Sequence, residues 1–288
     1  MESTRIAAGL EPVDPTRPVA AYVGGKKVLS RRLAAMIGAV PHNLYAEPFV
    51  GMGGVFFRRN RRPGCEVIND ISEDVITLFR ILQRHYQSFL DELKWRLFSR
   101  AEFERLTSVE PSTLTDLERA ARFLYLQRSG FGGKVIGRTF GIDYNRGSRF
   151  DLTKLVPMLE DVHERLAGVI IERLPYAEFI ARYDRPGALF YLDPPYFGTE
   201  HYYGPGVFSS ADYEALRRLL DGCQGRFILS INDAPEIREI FAGFPMEEVG
   251  LNYGVGGGQK AARELIISRI GASPLRASEC SKTSCPRL

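Results

Sequence analysis

The chain has 288 residues, of which 44% are hydrophobic and 25% charged, with a formal net charge of +3. That balance supports one large packed domain, or one domain with an inserted module, and excludes a globally disordered chain. The basic excess is too slight to argue for a nucleic-acid partner by itself; a local cluster is needed for that. Cys65, Cys223, Cys280 and Cys285 have no zinc-ligand spacing and suggest no disulfide framework. His42, His85, His163 and His201 form no HxxxH pair, so no metal is expected. The first thirty residues lack the apolar run of a signal peptide, and no stretch approaches the ~18 apolar residues of a membrane span, so a cytoplasmic protein is expected.

In chain order, residues 1–17 are polar, carry Gly9, Pro12 and Pro15, and read as a loose N-terminal arm. Residues 43–49 form a short strand that stops at a glycine-rich turn, and residues 53–60 read as a helix start. Residues 65–69 are a second strand. Ile71, Val75, Leu78, Phe79, Leu82, Tyr86, Phe89, Leu90 and Leu93 recur at helical spacing and predict one long amphipathic helix. Strand, glycine turn, helix, strand, helix is the start of a parallel α/β sheet. Thr115-Asp116-Leu117-Glu118 matches a capping box, and the helix it opens should run to Ser129 with Gly130 as its stop. Residues 130–150 then carry six glycines, Lys134, Arg138, Arg146 and Arg149, the single acid Asp143, and the aromatics Phe131, Phe140, Tyr144 and Phe150.

After about residue 166 the alternation resumes. Strands are expected at 188–192 and 227–231, helices at 212–220 and 235–241, and a terminal hairpin from 247–252 and 264–270. The organisation expected is an α/β domain built from residues 18–80 and 166–270, interrupted by a mostly helical insert at 81–165, with 1–17 and 271–288 as tails.

The strongest chemical signal is Tyr191-Leu192-Asp193-Pro194-Pro195-Tyr196, at the end of a predicted strand. Two prolines fix φ, and Pro195 biases Pro194 toward an extended conformation, so the Pro194 carbonyl is held in one direction. Beside it stand a carboxylate and an aromatic face. The amino group of adenine needs that set, because its lone pair is delocalised into the ring and it is a poor nucleophile. Hydrogen bonds from both N6 hydrogens, to Asp193 and to the Pro194 carbonyl, draw the nitrogen toward sp³ and localise the lone pair. Tyr196 can stack on a base taken out of a duplex. The electrophile would be a sulfonium methyl, with alignment and polarisation supplied by the protein. The plain alternative is a rigid turn between strand and loop.

Three weaker motifs accompany it. Glu47-Pro48-Phe49-Val50-Gly51-Met52-Gly53-Gly54 follows nucleotide-binding logic, in which glycines let a ligand approach the backbone at a helix start. It is not a full GxGxxG, and a turn needed only for packing fits it too. Asp70, in Asn69-Asp70, lies nineteen residues after Gly51, where an acid grips a ribose diol; a helix N-cap reads from the same place. Tyr22-Val23-Gly24-Gly25-Lys26 suits the carboxylate of a cofactor's amino-acid end, or a solvated loop.

These four pieces, in this order, resemble the Dam-type DNA adenine-N6 methyltransferase family over about residues 20–270. The resemblance implies an α/β fold: a Rossmann-like methyltransferase sheet with an antiparallel final hairpin and a mostly helical target-recognition insert. It implies S-adenosylmethionine as cofactor, double-stranded DNA as partner, no membrane, no metal and no obligatory protein partner. Tyr22, Lys26, Glu47, Phe49, Gly51, Asp70 and Asp193 would form the cofactor site, with Lys26 at the methionine carboxylate and Asp70 at the ribose hydroxyls. Asp193, Pro194, Pro195 and Tyr196 would be catalytic. Arg128, Lys134, Arg138, Asn145 and Arg146 are the candidates for DNA contact. The insert departs from the family pattern: Leu126-Gln127-Arg128 stands where Leu-Asn-Arg is usual, and Phe131-Gly132-Gly133 where aromatic-Asn-Gly is usual. No target sequence is transferred.

Related Asp/Asn-Pro-Pro-Tyr loops methylate RNA adenine, cytosine N4 or protein glutamine amides, and Asp at position 193 favours adenine. A non-catalytic DNA-binding module is a second alternative, opposed by the retained 193–196 loop with Lys26 and Asp70. A nicotinamide-dependent dehydrogenase would share the sheet and the acid but leave Asp-Pro-Pro-Tyr unexplained.

Overall fold

The computed structural model describes residues 9–26, 28–142, 147–204, 206–255 and 258–271. The chain opens with β1 (Glu11–Pro12), α1 (Ser30–Ala39) and β2 (Leu44–Glu47), followed by a 3-10 turn at Phe56–Arg58, β3 (Arg61–Arg62) and β4 (Cys65–Asn69). The helices α2 (Glu73–Arg84), α3 (Tyr86–Leu93), α4 (Arg100–Ser108), α5 (Asp116–Ser129) and α6 (Leu152–Arg165) come next. The chain then returns to alternation through β5 (Ile170–Glu172), α7 (Tyr176–Tyr183), β6 (Ala188–Leu192), α8 (Ser210–Gly222), β7 (Arg226–Asn232), α9 (Pro235–Ile240), β8 (Met246–Val255) and β9 (Gly258–Arg269).

Among the described residues, seven strands form one sheet in the order β5-β4-β2-β6-β7-β9-β8. The strands from β5 to β7 run parallel, while β9 is antiparallel to both β7 and β8. This is a Rossmann-like sheet closed by an antiparallel hairpin, as the resemblance implied. Side chains alternate across it. Tyr45, Leu189 and Tyr191 join the core beneath α1, α2 and α5, whereas Leu44, Ala46, Phe190 and Leu192 join the core beneath α7, α8 and α9. With both faces covered, β6 is buried at all five positions, which is why it reads as an unbroken apolar run.

The predicted capping box is present: Thr115 Oγ1 accepts from the Glu118 amide, and the Glu118 carboxylate accepts from the Thr115 amide. At its far end the helical segment is tied to the sheet by Glu66 on β4, buried between Arg59 and Arg165. Burial pushes the Glu66 carboxyl upward, but the hydrogen bonds from Arg165 and the charge of Arg59 win and hold it below the ordinary range.

Three expectations are corrected. The single helix over residues 71–93 is two, because His85 leaves the helical region at φ −126°, ψ 35°. Phe79 and Leu82 before the break and Phe89 and Leu93 after it enter one core, so the periodicity survives an interruption that it cannot reveal. Residues 53–60 hold a single 3-10 turn rather than a helix, since Gly51 and Gly53 sit at positive φ and Arg59 is already extended. The N-terminal arm, where described, is strapped down. β1 pairs with β3, and the Val13 and Thr16 amides donate to the Asn60 and Phe57 carbonyls.

Candidate active site

The connections of the parallel sheet diverge between β2 and β6. In open α/β sheets such a switch point leaves a crevice at the carboxyl ends of the strands. Here it is a cavity of about 670 Å³ bordered by both strand ends, by residues 20–26, by Asn69–Ile71 and by residues 206–208. Tyr22, Lys26, Glu47, Phe49, Gly51, Asp70, Arg128, Asp193 and Pro195, predicted separately from scattered motifs, all line it.

Asp193 leaves the end of β6 facing this space, its side chain one-fifth exposed. Its Oδ1 accepts from Lys26 Nζ at 2.7 Å, and the Ser230 hydroxyl on β7 supports the carboxylate as well. Burial pushes the Asp193 carboxyl up to about 6 against the pull of Lys26. Lys26 itself is buried: its ammonium lies 3.4 Å from Glu264 Oε2, bonds the Tyr196 hydroxyl, and sits 4.2 Å from the centre of the Tyr196 ring. The Tyr196 hydroxyl donates in turn to Glu264 Oε1. A buried ammonium between two carboxylates is compensated, which a solitary one would not be.

The loop after the strand is pinned twice. The Asn232 side chain accepts from the Phe197 amide at 2.8 Å and donates to the Phe197 carbonyl at 3.1 Å. The Tyr213 hydroxyl donates to the Pro195 carbonyl at 2.9 Å. Of this loop, Asp193 and Pro195 line the cavity, whereas Pro194 and Tyr196 are not among its lining residues.

The other half of the cavity is built on the glycine loop. Gly51 adopts φ +50°, and a Cβ there would meet the Tyr22 ring at 3.1 Å, so the N-terminal motif packs directly on the glycine turn. The Gly51 amide donates to Asp70 Oδ2 at 2.8 Å, and the Ser72 amide to Asp70 Oδ1 at 2.9 Å. Asp70 therefore braces both loops, while Ser72 is the N-cap of α2. Burial raises the Asp70 carboxyl to about 6 despite these bonds and a third from the Ile71 amide. Glu47, fully buried, accepts from the Tyr45 hydroxyl at 2.6 Å, and burial pushes its carboxyl up to about 8. Phe49, Tyr176 and Phe208 form an aromatic wall with ring centres 5.5 to 5.9 Å apart.

The insert's candidates are not brought together in the same way. Arg128 donates to the Val19 carbonyl at 3.0 Å and to the Arg149 carbonyl at 2.9 Å, and Arg138 donates to the Gln127 side chain at 3.0 Å. Lys134 is exposed. Asn145 and Arg146 lie outside the described residues. Of the aromatics, Phe140 packs against Phe98 and Phe103, whereas Phe131 is 56% exposed. Sequence reasoning missed Glu264, Ser230, Asn232 and Gln127 as site residues. The available signal was a polar residue at a buried strand or helix position, as in Glu264-Leu265-Ile266-Ile267.

The sequence matches the profile of the D12 class of N6 adenine-specific DNA methyltransferases over residues 22–255, from the aromatic of the first motif to the final hairpin. The chain belongs to that family. It is 22% identical to the type II methyltransferase M.CviBI of Paramecium bursaria Chlorella virus NC1A, over 82% of this chain and 91% of that protein. It is 26% identical to the type II methyltransferase M1.LlaDCHI of Lactococcus lactis subsp. cremoris, over 88% of this chain and 96% of that protein. Identity to a DNA adenine methylase of Haemophilus influenzae is also 26%, over 83% and 88% of the two chains. This adenine-specific DNA methyltransferase has, among its described residues, no helix long and apolar enough to cross a membrane. No group of three or more His, Cys, Asp or Glu is placed among them to hold a metal.

Proposed function

We propose that the enzyme uses S-adenosylmethionine to methylate N6 of an adenine turned out of double-stranded DNA in the cytoplasm, with the cofactor in the cavity between Gly51, Asp70 and Asp193. The observation that carries this reading is the union of the glycine loop and the Asp193–Tyr196 loop in one cavity, joined through Lys26. The residues suit the cofactor. The aromatic wall fits a purine face, Asp70 stands at the glycine turn for ribose hydroxyls, and Glu47 and Asp193 offer carboxylates to a ligand with sulfonium and ammonium charges.

When bound, the cofactor supplies an electrophilic methyl group on a positively charged sulfur. Asp193 and the Pro194 carbonyl accept the two N6 hydrogens and localise the nitrogen lone pair. Lys26 and Ser230 fix the carboxylate so that no reorientation is needed at the moment of transfer. The N6–carbon bond would form as the carbon–sulfur bond breaks, leaving neutral S-adenosylhomocysteine and a positively charged N6; Asp193 stabilises that charge, and the nitrogen then gives up its proton to water. Tyr196, tethered through its hydroxyl to Glu264, offers the base the ring face that Lys26 does not cover. The Lys26 ammonium, already between Asp193 and Glu264, serves the catalytic carboxylate rather than the methionine carboxylate. Lys134, Asn145 and Arg146 are assigned to DNA contact, and Arg128 and Arg138 to shaping the segment from within.

The test is transfer from methyl-labelled S-adenosylmethionine to unmethylated DNA and to RNA in parallel, with digestion to nucleosides and identification by mass. N6-methyladenine in DNA alone is expected. Label in RNA or on cytosine would overturn the substrate, and an Asp193→Ala protein with undiminished transfer would overturn the mechanism.

A further inference from the structure

The recognition segment and the cofactor loop meet at one buried amide. Gln127, in the last turn of α5, is 2% exposed. Its Nε2 donates to the Ala21 carbonyl at 3.1 Å and to the Gly133 carbonyl at 3.3 Å, and its Oε1 accepts from Arg138 Nε at 3.0 Å. Ala21 precedes Tyr22, whose ring lies on Gly51 at the cavity wall. Gly133 and Arg138 belong to the glycine-rich basic segment. A single side chain therefore bonds to both, and among the described residues its hydrogen bonds end on one or the other.

The two segments also touch directly. At Gly133, φ +69°, a Cβ would fall 2.8 Å from the Tyr22 nitrogen and 2.9 Å from the Ala21 carbonyl carbon, so backbone lies on backbone. The same segment reaches the far side of the cavity, where a Cβ on Gly204 would come 3.9 Å from Ile136 Cδ1 and 3.4 Å from Val207, a lining residue. Residues 131–142 thus abut two walls of the cavity, and Gln127 is the polar link to the nearer one.

We propose that Gln127 is a positioning residue through which DNA engagement and cofactor affinity are coupled. DNA that orders residues 131–142 fixes the Gly133 and Arg138 ends of the link, and the Gln127 amide then holds the Ala21–Tyr22 backbone where the cofactor meets it. By linkage, bound cofactor favours the DNA-engaged arrangement by the same factor. This rests on the cofactor occupying the cavity as proposed above.

The experiment measures binding of S-adenosylhomocysteine, the unreactive product, with and without saturating plasmid DNA free of adenine methylation. It is run on the wild type, Gln127→Ala and Gln127→Asn, the last one methylene too short to reach both carbonyls. In the wild type DNA should tighten S-adenosylhomocysteine by about fivefold or more. In both variants that ratio should fall below about twofold, whatever happens to the individual constants or to Tm. A merely structural glutamine would weaken binding or lower Tm with the ratio intact, and that result overturns the proposal; so does a wild-type ratio of one. If Gln127→Ala fails to fold, Gln127→Asn, which keeps the amide, decides the matter. A wild type that binds DNA but no S-adenosylhomocysteine at all would instead remove the cofactor assignment on which the proposal stands.

Discussion

The carboxyl edge of the sheet and the glycine-rich segment of the insert hold their functional groups by opposite means. At the edge, Asp193, Asp70 and Glu47 stand on or just after strands, and the strands and the short loops packed on their ends supply the partners that orient them: Ser230 on β7, Tyr45 on β2, Lys26 and the Gly51 amide. In the segment, Gly132, Gly133 and Gly137 sit at positive φ, and one isolated bridge between Gly130 and Phe140 is the main internal tie. Its shape is imposed from beneath by Gln127, Arg128 and Arg149. Chemistry that tolerates little misplacement is built on rigid strand ends, whereas recognition of a long polymer is left to a loop braced from one side.

The largest expected effect falls on the edge. On the proposed mechanism Asp193→Ala removes one of two acceptors for N6, while Lys26 keeps Glu264 as partner. Methyl transfer at saturating cofactor should drop by at least about 10²–10³-fold, with the far-UV circular dichroism spectrum kept and S-adenosylhomocysteine still bound. Loss of fold instead of loss of rate would show that the edge is not the self-supporting frame described above.

A proton should also mark the edge. Burial holds the Glu47 carboxyl up to about 8, so it is protonated in the free protein at pH 7. A cationic ligand favours the ionised form, so cofactor binding must release a proton there. Affinity should rise with pH up to about 8 and level above it, by at most about tenfold per unit, since one group titrates. Asp193, raised to about 6, should separately depress kcat/KM below that pH, because its protonated form offers one acceptor fewer. Calorimetry of S-adenosylmethionine binding, without DNA and therefore without transfer, in buffers of different ionisation enthalpy reads the first effect; absence of proton release in the wild type, or its persistence in Glu47→Gln, would remove Glu47 from the cofactor's surroundings.

The same contrast explains what the sequence disclosed. Asp193–Tyr196, Gly51 and Asp70 are legible because each job is done within a few residues of a strand end: proline stiffening, a left-handed glycine, a carboxylate over backbone amides. Apolar alternation located the strands and helices along the chain and the resemblance implied the antiparallel closing hairpin, whereas the order of the strands across the sheet came only from the structure. Glu264 was not legible. It reaches Lys26 only because β9 pairs beside β7, setting Glu264 opposite Asn232, a contact no local pattern encodes. The break at His85 was hidden for the converse reason, since two helices that share a core keep one periodicity. In the basic segment, composition identified a charged stretch but not which charges face inward.

Gly132→Ala and Gly133→Ala separate strain from packing in that segment. Both glycines have positive φ, which costs about 1–3 kcal/mol for another residue. Around Gly132 there is nothing within 4 Å of an added Cβ, whereas at Gly133 the Tyr22 and Ala21 backbone lies within 3.0 Å. Gly133→Ala should therefore lower Tm further and weaken S-adenosylhomocysteine binding by several-fold more than Gly132→Ala. Equal effects would mean that the segment does not bear on the cofactor loop.

The smallest effect distinguishes basic residues that face DNA from those that shape the loop. Lys134→Ala removes one exposed ammonium. The slope of log affinity against log salt for duplex DNA should become shallower by about 0.9, while Tm and cofactor binding stay put. Arg128→Ala removes two hydrogen bonds to the Val19 and Arg149 carbonyls, and each buried carbonyl left unpaired costs about 1–3 kcal/mol. It should lower Tm, with any loss of DNA affinity following from a disordered segment. The diagnostic is temperature: cooling should restore DNA binding to Arg128→Ala and leave Lys134→Ala unchanged, because a lost charge does not return when the fold tightens. If the two variants exchange these behaviours, the division between the segment's surface and its support is wrong, and Arg128, at the cavity wall, belongs with the groups that meet the nucleic acid.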